Sequence, residues 1–148
     1  MTKARRVDLA AAGLRAVLCF LSGGAARRES ATFDEVTPVG AGLSYLQRLD
    51  LRLNPEHPPL AKVIAAAPLV VQGKRADYPG GPWRLSDSFL QAFSGQWIFG
   101  DAVLGRWNVW RPTLLWARAP MLLLTLVLGW VIYRYGTRLG GEAGWQPT

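Results

Sequence analysis

The sequence predicts an all-α membrane protein in which two transmembrane helices are joined by an extracytoplasmic loop carrying amphipathic interfacial helices. Three observations carry that expectation. Residues 119–133 include Met121 to Ile132 without a charge, and residues 9–26 form a second apolar stretch behind a basic start. Between them, apolar residues recur at spacings of three and four around several prolines, which is a helical period.

Composition supports the same class. The chain has 148 residues, half of them hydrophobic, with seven tryptophans, and its apolar content gathers near the two ends. The 17 Lys+Arg against 10 Asp+Glu give a net charge of +7. A basic excess suits nucleic acid or an anionic membrane surface. The arginines are scattered and no nucleic-acid motif accompanies them, so membrane lipids are the expected partner and nucleic acid is not. The single Cys19 excludes an internal disulfide framework and a zinc-cysteine cluster, and in its apolar run it reads as a buried structural thiol.

The first stretch opens with Lys3, Arg5 and Arg6 and is interrupted by Arg15, leaving Ala16 to Ala26 uncharged. A spanning helix needs about 20 mostly apolar residues, and a central arginine costs about 2.5–3.5 kcal/mol on insertion scales. A secretory signal peptide has the same parts, a basic start, a short apolar core and the small residues Ser22 to Ala26. Both readings stay open, with the membrane anchor favoured.

The second stretch is bracketed by Arg118 and Arg134, whose long stems carry their charges toward the interfaces. Trp107, Trp110 and Trp116 on one side and Tyr133 and Tyr135 on the other are placed as interfacial aromatics. Pro120 is expected early in the helix, where a missing N–H matters least. The basic flanks put both ends in the cytoplasm, in a plasma (inner) membrane. The expected organisation is thus residues 1–26 as tail and first transmembrane helix, 27–112 as extracytoplasmic loop, 113–135 as second transmembrane helix and 136–148 as cytoplasmic tail. Arg27 and Arg28 oppose this orientation mildly, but long loops translocate largely regardless of charge.

Within the loop, Val36, Val39, Leu43 and Leu46 share one helical face, which predicts an interfacial helix over about 35–49. Thr32 or Asp34 is its candidate cap, and Glu35 suits its first turn. Asn54-Pro55 reads as a turn and Pro58-Pro59 as the stiff start of a helix running to about Val71. Tyr78 to Arg84 reads as a loop, and a third amphipathic stretch begins at Ser86 with Phe89, Phe93, Trp97 and Ile98 on one face.

Taken alone, the polar residues have ordinary explanations. Asp34 suits a helix cap, Glu35 complements a helix dipole, His57 beside prolines suits a turn, and Lys62, Arg48 and Arg52 suit solvated or lipid-facing positions. Spacing alone does not establish an enzyme; group transfer to a hydroxyl would need a carboxylate to take its proton, a role open to Asp34, and cations or a metal to hold a leaving phosphate, a role open to Lys62, Arg48 and Arg52.

The pair Asp34-Glu35, followed by His57-Pro58-Pro59-Leu60-Ala61-Lys62 between two apolar spans, resembles the start of the membrane-embedded GT-C glycosyltransferases. The likeness is to the protein O-mannosyltransferase and aminoarabinose-transferase group, glycosyltransferase family 39, with its acidic motif and its HPPL-x-K pattern. Gly42 to Leu46 and Arg52 to Glu56 look like bacterial members, and the likeness covers most of residues 30–138. The resemblance implies a polyprenyl-phosphate sugar donor and Asp34 as catalytic base. It also implies substrate-binding roles for Glu35, Glu56, His57, Lys62 and Arg52; whether Glu56 and His57 hold a divalent metal or only hydrogen-bond the substrate stays open. Family enzymes are several hundred residues long, so the chain reads as an N-terminal fragment ending in a truncation, inactive by itself. The alternative is a non-enzymatic small membrane subunit or remnant that packs on a partner membrane protein. A third reading is a secreted or lipid-tethered domain behind a signal peptide.

Overall fold

The computed structural model describes the backbone of residues 3–85 and 89–142 and the side chains of 5–85 and 94–139. The expected helix start at Ser86, the side chains of Phe89 and Phe93, and residues 143–148 of the tail lie outside the described residues.

The described chain is all-α, with six α-helices: α1 (Lys3–Arg28), α2 (Phe33–Arg48), α3 (Pro59–Val71), α4 (Gly81–Arg84), α5 (Phe89–Asp101) and α6 (Trp110–Glu142). A π-helical turn, Ala102–Arg106, extends α5. Arg5–Arg28 and Trp110–Leu139 are long and apolar enough to cross a membrane. Two compact units result, one made of residues 1–26 with 122–148 and the other of residues 27–121.

In the first unit, most large apolar side chains of α1 and of the end of α6 are exposed, Phe20 and Leu14 among them. Arg15 donates from Nε to the carbonyl of Ala11 at 3.2 Å and sets its guanidinium 5.0 Å from the ring centre of Tyr133. The Tyr133 hydroxyl donates to Asp8, so the two helices share a polar node. Cys19 is exposed and not the buried thiol expected, because few protein neighbours cover this helix. Pro120 stands ten residues into α6, not at its start, since the helix begins at Trp110. It therefore withholds an N–H from the carbonyl of Trp116.

The second unit is a packed core built on α2. The face predicted to lie on a bilayer is turned inward, with Val39, Leu43 and six further α2 residues buried. The reason is close helix approach. A Cβ on Gly42 would strike the backbone of Lys62 and come within 2.9 Å of the Ala66 Cβ, and one on Gly40 would come within 2.7 Å of the Gly100 Cα. Bare backbone at these positions lets α3 and α5 close on α2, so protein replaces lipid against this face. The tryptophans show a related difference. Trp107 packs edge-on against Phe99 at 5.4 Å and Trp110 is half-buried against the core, whereas Trp116 is exposed.

The predicted 78–84 loop contains a turn of helix after all, α4, whose Pro82 sits in the first turn where its missing N–H is harmless. It delivers Trp83 onto Phe99 and against Tyr78, with ring centres 5.3 and 5.0 Å apart. Tyr78 in turn donates to Gln47 at 2.7 Å, and burial pushes its phenol up to about 12.

Candidate functional site

Thr32 caps α2, and Glu35 completes the capping box, its carboxylate accepting from the Thr32 N–H at 2.9 Å. Arg118 then closes on the same carboxylate from α6, Nε donating to Oε1 at 2.7 Å and Nη2 to Oε2 at 2.6 Å. Its remaining reach goes to the carbonyls of Glu29 and Ser30, at 3.0 and 2.9 Å. A cation within an apolar helix is stabilised by a bidentate carboxylate, and this one has found it.

Asp34, the neighbour of Glu35, is exposed and makes no side-chain hydrogen bond or ion pair among the described residues. It lines a cleft of about 170 Å³ between α2, α3 and the first half of α6. The acidic pair is therefore divided in labour. Glu35 is tied down, and Asp34 is free.

The Arg118 hydrogen bonds hold Glu35 below the usual carboxylate range, against the opposing effect of burial. A depressed folded-state value adds stability above the unfolded value, about 4.3 for Glu, and that stability is lost as pH falls through the folded value. Acid titration of the chain in micelles is expected to loosen the α2–α6 junction below about pH 4. In Glu35→Gln this acid step should shrink, as read from amide exchange of residues 30–36.

A second cluster forms at the 54–57 turn. Lys62 is 2% exposed, and its ammonium donates to the carbonyls of Asn54 and His57 (2.7 Å for His57) and to the Tyr45 hydroxyl at 3.2 Å. Burial lowers its pKa, and Glu56 opposes that shift. Tyr45 donates to the Leu53 carbonyl, so α2 and α3 both hold the turn. Asn54 adopts φ +52° and donates to Glu56 at 2.9 Å, with Gln96 of α5 donating to the same oxygen at 3.3 Å. Burial pushes Glu56 up, but its own N–H and the Gln96 amide outweigh that, and the carboxyl rests below its ordinary value. His57 is exposed at the apex.

The cations read as phosphate candidates make contacts within the fold. Lys62 is turned inward onto two carbonyls of the turn and the Tyr45 hydroxyl of α2. Arg52 pairs with Asp50 at 2.6 Å and lies 4.7 Å over the Trp83 ring, and Arg48 lies over Tyr78. No group of three or more His, Cys, Asp or Glu able to hold a metal occurs among the described residues, and Glu56 with His57 offers two ligating side chains. The structure brings Asp34 and Glu35 together at one cleft, and Glu56, His57 and Lys62 together at one turn. Arg118, Tyr45 and Gln96 are the members that motif reading did not select.

No family model matches this chain, and no curated protein or solved structure matches it.

Proposed function

We propose that this chain is the N-terminal part of a membrane glycosyltransferase that moves a sugar from a polyprenyl-phosphate carrier to an acceptor hydroxyl. One observation carries the reading: Asp34 presents an unengaged carboxylate at a cleft while the adjacent Glu35 is immobilised by Arg118. A general base must be both held in place and free to accept a proton. Asp34 meets the second need through its own exposure and the first through its neighbour's anchoring. It would take the hydroxyl proton as the acceptor oxygen displaces the lipid phosphate from the anomeric carbon.

In this reading α1 and the 113–135 part of α6 cross a plasma membrane, and residues 27–112 are extracytoplasmic. Lys62 positions the turn bearing Glu56 and His57 and does not touch phosphate. The only cation lining the cleft among the described residues is Arg118, which is committed to Glu35, so phosphate-binding cations would come from further membrane helices. The chain alone would not turn over.

Asp34→Asn in a full-length transferase carrying this segment is expected to reduce transfer by about 100-fold or more, the usual contribution of a general base. Membrane insertion should be unchanged. Normal turnover in that variant overturns the assignment.

A non-catalytic subunit is the rival reading, favoured by the exposed apolar surface of α1 and α6, which partner helices would cover as well as lipid. Stable co-purification with a larger membrane protein, indifferent to Asp34→Asn, would support it.

A further inference from the structure

We infer that the cleft beside Asp34 binds the hydroxyl- or ammonium-bearing head of an amphiphile, with its aliphatic part along α3 and α6, and that it rejects anionic heads. As a statement about the acceptor this rests on the proposed function. As a binding preference it stands on the cleft.

The walls set the shape. Pro38 and Val39 of α2, Ala61 and Ala65 of α3, and Leu114 and Ala117 of α6 give an apolar lining of mostly small side chains. A volume of about 170 Å³ admits a narrow aliphatic segment but not a whole sugar nucleotide. Such a lining favours hydrocarbon through burial of apolar area.

The charges set the head. Asp34, Glu35 and Arg118 are the formal charges of the lining. Glu35 and Arg118 neutralise each other in a two-bonded pair, and Glu35 also answers the start of α2 through the capping box. The charge of Asp34 is left over. Arg27, Arg28 and Glu29, the nearest charges along the chain, are exposed at the end of α1 and its exit, outside the lining.

The backbone adds a second acceptor independently. Pro38, inside α2, has no N–H to offer the carbonyl of Asp34 four residues earlier. Asp34 thus carries, beside its carboxylate, a carbonyl without its usual helical donor. A carboxylate beside an apolar wall calls for a donor head group. A phosphate, which accepts and carries negative charge, meets repulsion and no free donor among the described lining residues.

The test uses the whole chain in phosphatidylcholine nanodiscs with three photoreactive probes of one decyl chain length, ending in alcohol, ammonium or phosphate. Labelled peptides are mapped by mass spectrometry. The ammonium and alcohol probes are expected to label residues 38–39 and 61–65 about tenfold more than the phosphate, the scale of one hydrogen bond to a charged group. In Asp34→Asn, whose exposed side chain leaves the fold intact by circular dichroism, the ammonium preference should vanish. Ala61→Phe, at an exposed position on the rim, should reduce labelling by all three probes.

Equal or stronger labelling by the phosphate probe in the wild-type chain overturns the inference. So does an ammonium preference that survives Asp34→Asn, or labelling confined to α1 and residues 122–142. No transfer reaction is involved, so this result and the loss or retention of turnover in the full-length Asp34→Asn enzyme can be read separately.

Discussion

Lys62→Met is expected to unfasten the 54–57 turn. Its ammonium is the donor shared by the Asn54 and His57 carbonyls at a site where the lysine is 2% exposed, so methionine keeps the stem and removes all three hydrogen bonds. Each buried acceptor left without a donor costs about 1–3 kcal/mol. The Asn54 carbonyl retains only long contacts from the His57 N–H and the Tyr45 hydroxyl, both at 3.5 Å. Amide exchange over residues 53–58 should accelerate more than elsewhere, and the thermal midpoint in micelles should fall. His57 is the chain's only histidine, so its imidazole resonances report the turn directly. A shift and broadening in Lys62→Met would place the lysine's work in the turn. An unchanged His57 spectrum with unchanged exchange over 53–58 would show that the ammonium does not hold it.

Gly42→Val is expected to break the α2–α3 seam. Its Cβ would land on the Lys62 carbonyl and 2.9 Å from the Ala66 Cβ. Overpacking typically costs about 1–3 kcal/mol and sometimes more. Here the obstacle is backbone, which no rotamer change relieves. The displacement would also carry Lys62 away from the turn, so the loss should exceed that of an ordinary core insertion. Gly129→Val is the matched control, because a Cβ there meets nothing within 4 Å. A lower thermal midpoint for Gly42→Val with no change for Gly129→Val is the expected pattern. Equal midpoints would mean the seam relaxes without strain.

Helix positions were legible in the sequence because they rest on local rules. The 3.6-residue period of Val36, Val39, Leu43 and Leu46, the cap candidates Thr32 and Asp34 and the double proline before Leu60 each act within a few residues, and α2 and α3 start and stop close to where those signals lie. What covers an apolar face was not legible. The pattern of α2 is the same whether lipid or protein meets it, and the decision came from Gly40, Gly42 and Gly100, whose partners are distant in sequence. The site divides in the same way. Asp34 and Glu35 could be selected as an acidic pair, but which of them is free depends on Arg118, 83 residues beyond Glu35. Lys62 looked like a surface charge because nothing local announces three oxygens behind it. One signal was available and stronger than it looked: Arg118 ends an otherwise apolar run, and an ion in that position needs a specific counter-ion.

The reach of Arg118 has a consequence for the architecture of the 27–121 unit. By gripping the carbonyls of Glu29 and Ser30 together with Glu35, one guanidinium fastens the unit's opening residues to its closing ones. The polypeptide thus enters and leaves this body at neighbouring points, as a bead does on a looped thread. Bodies whose ends adjoin make modest demands on the host chain and are readily inserted as cassettes. Residues 27–121 thus carry a latch between their first and last segments, and the latch is a single side chain.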